Sequence, residues 1–565
     1  MILLALLACA PAPREGTVRP GTHARAWTPV ADQDARLVPL PVPRLLRRMS
    51  LDLRGTLPTA AELDAVEADA TALDGLRDAY VADARFEGRL VELLAERWLT
   101  TVDEFLIEYR EFPAIGLDPT NEYPFERAVG EEPLRLMARV AAEDRPWTDI
   151  VTADTTMANE VLGQTWPVDY PTGETGWQEV SYTDGRPAAG VLATNGLWWR
   201  YYTTFSNYNR MRVSALAKLL LCVDYLSRPV TFSGSVSLAP PATDADGTAE
   251  ALRTNPYCQG CHASLDPVAA GLFGFWTPQE YSGVENVTYH PERELLGESL
   301  LGVEAAWYGA PLAGLADLGQ HVAADPRFAR CTAQSVAEMY WRREVTVDDF
   351  DRVEQLRLAY VDGGARFKDV VVAATDSAAY RAGGLTEAAA TASGVADGGT
   401  DENTARMMDV TLLASVLDDL AGFDWTWNGY DQLRNDTWGY RILGGGVDGT
   451  YVSRAQRLPG LTWTIVLARV AEAAGVAIAT HDLGEGADTP WLLDRVIAAD
   501  DSTTAAFSAQ VGAARWRLLA ERPTDTDLTE DAALFAAVVA DTGDTSTAWA
   551  ALISAWLRDP TFGSY

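Results

Sequence analysis

The chain is short of basic residues. Its 45 Lys and Arg stand against 80 Asp and Glu, a formal charge of −35 over 565 residues. Such a surface repels a phosphate backbone, which argues against nucleic acid as a partner and favours a basic partner or a cation-rich medium. Its plainest use is solubility. Histidine is scarce, with five in all. No Ser/His/Asp or Cys/His nucleophile set assembles from so few, which weighs against hydrolase chemistry. No loop of the D-x-D-x-D-G type offers a calcium site. The triplet Gly444-Gly445-Gly446 lacks the G-x-G-x-x-G and G-K-S/T spacings of nucleotide loops and reads as a tight turn held by Asp448. Beyond the N-terminus no stretch reads as an apolar run of membrane-spanning length, and no internal repeat is evident. What is present, 48% hydrophobic and 22% charged residues, is the composition of a globular protein. The length suits about two to four domains.

The five cysteines divide informatively. Cys258-Gln259-Gly260-Cys261-His262 is a single C-x-x-C-H, which in an exported chain is the attachment site of a covalent haem c. The thiols of Cys258 and Cys261 add to the haem vinyl groups, and His262 supplies the proximal iron ligand. Two intervening residues set the sulfurs about one helical turn apart. Zinc would need two further N or S ligands, and there is no second C-x-x-C; a chance disulfide is the other alternative. For the distal iron position the candidates are Met339, then His290 and His321, with Met211 upstream. An open distal position would admit ligand or peroxide chemistry. Asp266-Pro267 either supports His262 by accepting its other N–H or merely ends the turn. Cys222 and Cys331 are left as a disulfide around the haem motif or as two buried thiols, since sequence does not supply their separation.

Cys9 closes an apolar start, and Leu6-Leu7-Ala8-Cys9 reads as a lipobox in which the thiol is lipidated. Ala10 follows instead of Asp, so outer-membrane sorting is the default. The alternative is a frayed apolar terminus, since no basic segment precedes the run. The expected organisation is a lipoprotein-type signal over 1–9, a Pro/Arg/Ala/Thr-rich tether over 10–40, an N-terminal helical domain with a loop-rich extension over 41–185, a haem-binding segment over 186–385, an Ala/Thr/Gly/Asp linker over 386–404 and a C-terminal helical region over 405–565. Helical spacing is clear in Leu76, Tyr80, Phe86, Leu90, Leu93, Leu94 and Trp98, and again in Leu412, Leu413, Val416, Leu417 and Leu420. The cluster Trp198-Trp199-Arg200-Tyr201-Tyr202 reads as core, as a haem wall or as a sugar-binding face.

Arg47-Arg48-Met49-Ser50-Leu51-Asp52-Leu53-Arg54-Gly55-Thr56-Leu57-Pro58-Thr59, with Ala84-Arg85-Phe86 and Glu96-Arg97-Trp98-Leu99, resembles a helical domain of unknown function found in secreted planctomycete-type cytochrome c-like proteins. Its Arg and Asp residues read as structural pairs. Gly190-Val191-Leu192, the helix ending at Cys222, the haem motif with Asp266-Pro267, then Asp317-Leu318, Phe328 to Cys331, Phe367-Lys368-Asp369 and Tyr380-Arg381 are similar to that family in the same order. Ala269, Phe273 and Trp276 depart from its pattern of Gly, Glu and Asp, which implies a more apolar setting for the haem.

The resemblance and the motif together imply a mostly α, multi-domain helical protein with a cytochrome c-like haem-binding segment. The expected function is an extracytoplasmic, lipid-anchored one-electron carrier working with another envelope redox protein. A cell-surface binding or structural protein, in which C-x-x-C-H is only a cross-link, and a peroxidase-like protein with an open iron face are the alternatives.

Overall fold

A computed structural model describes residues 30–102, 104–105, 108–116, 118–204, 207–227, 256–275, 283–294, 296–393, 406–448, 451–484 and 489–565. Cys9 with its lipobox, His23, Trp276 and most of the expected tether lie outside the described residues. The fold is mostly helical with a few short strands. β1 (Leu37–Pro39) pairs antiparallel with β6 (Ala382–Leu385), β2 (Thr155–Ala158) with β3 (Gln178–Ser181), β4 (Ala306–Trp307) with β5 (Ala310–Pro311), and β7 (Thr426–Trp427) with β8 (Tyr430–Asp431). The tether expected over 10–40 therefore stops short of 40. Residues 30–34 form a short helix, and β1 is held by a strand more than three hundred residues later.

Helix α1 (Val42–Arg54) organises the rest. Pro43 at its start supplies the fixed φ that suits a first turn, and Gly55 ends it with φ 71°, a left-handed cap. Its residues from Leu45 onward are all buried, the charged ones included. Leu45, Leu46, Met49 and Leu53 enter one hydrophobic core, while Leu51 enters a second. A helix buried on all sides must pair every charge it carries. Arg47 donates to the carbonyls of Leu518 at 3.0 Å and Phe562 at 2.8 Å. Arg48 donates to those of Tyr380 and Ala382 at 2.7 and 2.8 Å. Asp52, 1% exposed, accepts from the hydroxyls of Tyr380 and Tyr565, each at 2.9 Å, and from Arg406 at 2.6 Å. The Arg-Arg-x-Ser-Leu-Asp-Leu stretch is thus a buried polar clamp that ties the N-terminal helices to the C-terminus of the chain.

The first core runs from α1 through α2 (Ala60–Ala68), α3 (Ala72–Val81), α4 (Arg85–Trp98) and α5 (Glu122–Ala142). It continues without a break through α6 (Arg210–Leu221), α7 (Pro256–Ala270), α8 (Pro326–Trp341), α9 (Phe350–Asp362) and α10 (Phe367–Asp376). Apolar packing therefore does not divide at 185/186. Glu132 helps to join the two sides. Fully buried, it accepts from Trp166 Nε1 at 3.1 Å, the Gly196 N–H at 3.0 Å, Thr156 at 3.1 Å and the Tyr182 hydroxyl. Burial pushes its carboxyl up, against the pull of those donors. At Gly196 an added Cβ would sit 2.1 Å from the Val129 carbonyl oxygen, so only glycine permits this approach.

The second core holds α11 (Val410–Ala421), α12 (Leu461–Asp482), α13 (Ala505–Leu519), α14 (Asp525–Thr542) and α15 (Thr545–Leu557), with Leu51 and Leu57 from the far end of the chain. Helix α12 corrects one expectation. At 22 residues, with an 18-residue stretch of mean hydropathy 1.5, it is long and apolar enough, by length and composition, to cross a membrane. Interrupting polar residues hide that length in the sequence. In the fold its Trp463, Val466, Val470 and Ala474 lie in the second core, where it packs against α15. The expected linker begins with a helix, Glu387–Ser393; residues 394–405 lie outside the described set. The glycine triplet is a packed turn. Gly444 and Gly446 donate to the Tyr440 and Arg441 carbonyls at 2.7 and 2.8 Å, and an added Cβ at Gly444 would strike Val410; Asp448 accepts from the N–H groups of Tyr451 and Val452, beyond the triplet, at 2.8 Å.

Candidate functional site

The C-x-x-C-H lies on α7, which begins at Pro256, the first described residue after a gap. Positions 258, 261 and 262 differ by three and four, so the three side chains share one helical face. The first two turns are half-exposed, whereas Leu265, Asp266 and Val268 to Phe275 are buried. Cys258 and Cys261 are free thiols.

Asp266 lies one turn below His262. Its carboxylate accepts from His262 Nδ1 at 2.9 Å and from Arg210 twice, Nε at 2.7 Å and Nη2 at 3.0 Å. Burial would raise this carboxyl, but the His262 and Arg210 contacts outweigh it and hold it below the usual aspartate range. An ionised acceptor fixes the proton on Nδ1 and leaves Nε2, which has no hydrogen-bond partner among the described residues, as the ligating nitrogen. The Asp-Pro pair therefore does not end the turn: the helix runs through Pro267 to Ala270. Ser264, on the same helix, contacts the Tyr225 hydroxyl at 2.9 Å, and Tyr225 contacts Tyr308 at 3.3 Å.

Ala269 and Phe273 are fully buried. They pack at the C-terminal end of α7, where an added Cβ on Gly297 would lie 2.5 Å from the Phe273 ring and 2.4 Å from the Ala270 carbonyl. At 1.5 Å per residue Ala269 is about 10 Å along the helix from His262. These two departures from the family pattern thus serve the core beneath the motif. In the aromatic cluster upstream the two tryptophans are core as well, whereas Tyr201 is half-buried and Tyr202 exposed. Trp198 bonds the Leu192 carbonyl at 2.7 Å, and Trp199 packs among Phe105, Phe112, Phe125 and Trp166.

Cys222 and Cys331 are joined, with Cα atoms 5.2 Å apart. The bond ties the end of α6, the helix that begins with Arg210, to α8. Arg97 lies over it, 3.3 and 3.5 Å from the two sulfurs, and pairs with Glu338 at 3.1 Å. Of the distal candidates, Met339 lines a small cavity with Leu94, Trp98, Trp147 and Phe328, a lining with no residue of α7. His290 is bound to Glu292 at 3.1 Å and to the Glu285 carbonyl at 3.3 Å. His321 lies 3.7 Å from Asp317. Met211, beside Arg210 at the start of α6, is 38% exposed. The structure thus brings Cys258, Cys261, His262, Asp266 and Arg210 together, while Met339 lines a cavity that no residue of α7 borders. Sequence reasoning did not place Arg210 in the site; its signal is an Arg in the stretch Asn209 to Arg212, between Gly190-Val191-Leu192 and the helix ending at Cys222.

No protein-family description, curated protein or solved structure matches the chain.

Proposed function

We propose that the chain is an extracytoplasmic monohaem c-type cytochrome-like protein that carries single electrons in the cell envelope, in concert with another envelope redox protein. The observation that carries this reading is the Arg210–Asp266–His262 relay on the helical face that also presents two free thiols. Those residues fit a covalent haem: Cys258 and Cys261 to attach it, and His262 Nε2 to ligate its iron. When bound, the group supplies one-electron cycling between Fe(II) and Fe(III). The chain's part is to hold the imidazole in one tautomer and orientation, and Asp266 does this because Arg210 holds both of its oxygens.

The test is expression of the exported chain with a c-type maturation system, followed by spectra before and after dithionite. A Soret band and a covalent mass increment are expected, and the lack of both would sink the reading. His262→Ala should abolish the proximal-ligated spectrum. Asp266→Asn removes a negative charge behind the imidazole and should raise the midpoint potential while leaving haem attached; an unmoved potential would remove Asp266 from the site. The same carboxylate favours a peroxidase-like second reading, because a carboxylate-backed imidazole pushes electron density toward the metal. Spectral change on adding cyanide or peroxide would select it over a pure carrier.

A further inference from the structure

A cleft of about 600 Å³, with no residue of α7 in its lining, lies between α4, α5 and α11. Its wall holds six arginines and five carboxylates, besides the hydroxyls of Tyr123 and Ser415. Near-equal numbers of donors and acceptors suit a ligand that both gives and takes hydrogen bonds, as vicinal hydroxyls do, better than a ligand of one charge. Several of these groups are already set in place. Arg434 donates to Asp431 and to Ser415, each at 3.0 Å, and its carbonyl accepts from Tyr123 at 3.0 Å. Arg89, 3% exposed, spends Nη1 on Glu92 at 2.7 Å, while its Nε and Nη2 have no partner among the described residues.

Gly88 is a second sign. It lies inside α4 and lines the cleft, yet an added Cβ would meet nothing within 4 Å. Glycine inside a helix costs stability against alanine, and here neither packing nor a positive φ asks for it. Its effect is to keep one wall of the cleft low.

The third sign is the hairpin that delivers Asp431 to the cleft. Asn428 and Gly429, with φ 51° and 84°, join β7 to β8 through the two-residue turn that matches strand twist. On and after this hairpin Trp427 and Trp438 are 59% and 57% exposed. Trp438 lies 5.9 Å from Tyr430, and Trp425 stacks on Tyr440 at 5.4 Å and 14°. Tryptophan left this far in water costs hydrophobic free energy unless a ligand covers it. A pyranose ring offers an apolar C–H face to such a platform and equatorial hydroxyls to paired arginine and carboxylate groups.

We propose that this cleft and its aromatic hairpin bind an oligosaccharide chain, a site independent of the haem reading. The experiment uses the exported full-length chain in affinity electrophoresis through neutral polysaccharides (a glucan, a xylan, a mannan) and acidic ones (alginate, pectin), with calorimetry on matching hexasaccharides. At least one polysaccharide should retard the chain; preference for an acidic one would assign a sugar carboxylate to the arginines. The double variant Trp427→Ala/Trp438→Ala and, separately, Gly88→Leu should each weaken binding by about tenfold or more with an unchanged visible spectrum and circular dichroism. Absence of binding to every polysaccharide, or undiminished binding in the tryptophan variant, would overturn the proposal. A change in oligomeric state of the tryptophan variant would overturn it too, by showing the platform to be covered by a second copy.

Discussion

Asp52→Ala should cost about 3–5 kcal/mol of stability, read as a fall in the denaturant midpoint, because it leaves a buried cation unpaired. Asp52 is 1% exposed and holds Arg406 at 2.6 Å together with the hydroxyls of Tyr380 and Tyr565. Those three groups come from well-separated parts of the chain, so removing the carboxylate strands donors in both cores at once. Asp52→Asn keeps the volume and one acceptor oxygen but loses the charge, and should fall between wild type and alanine. A loss for Asp52→Ala within the range of an ordinary surface change, about 0.5 kcal/mol, would show that the clamp is dispensable. The visible spectrum of the folded fraction should not change, which separates this residue from the haem site.

Removing the Cys222–Cys331 bond should be nearly as damaging. The bond closes a span of 109 residues, and cross-links of that length stabilise chiefly by restricting the unfolded chain, typically by about 2–4 kcal/mol. Cys222→Ser/Cys331→Ser should therefore unfold at lower denaturant than wild type, and wild type in excess dithiothreitol should shift the same way. Equal midpoints with and without reductant would refute it. A second consequence is local. The bond fixes the far end of α6, and Arg210 at the near end holds Asp266. Loosening α6 should blunt the change in potential expected for Asp266→Asn, since the relay to His262 would already be less ordered.

What the sequence shows of the α7 motif rests on short-range spacing. Cys258, Cys261 and His262 are neighbours in sequence, and a helix puts them on one face whatever surrounds it. Asp448 caps its own turn within four residues. The readings that needed revision depend on partners far along the chain. Residues 37–39 read as tether by sequence because nothing local shows that Ala382–Leu385 will pair with them. By sequence Trp198 and Trp199 suit core, haem wall and sugar face alike, because identical rings serve all three; in the fold they are core, while Trp427 and Trp438, more than two hundred residues on, are exposed.

By itself the sequence determined a mostly helical chain with one C-x-x-C-H and a pair of cysteines flanking it, because periodicity and motif spacing are properties of a single turn or two of backbone. The tertiary structure alone decided that Arg210 holds Asp266 against His262, that Met339 lines a cavity bordered by no residue of that helix, and that Asp52 draws Arg406, Tyr380 and Tyr565 together from distant parts of the chain. Buried charges must find partners wherever the packing brings them, and packing is set by how whole helices dock, which no local pattern of residues encodes.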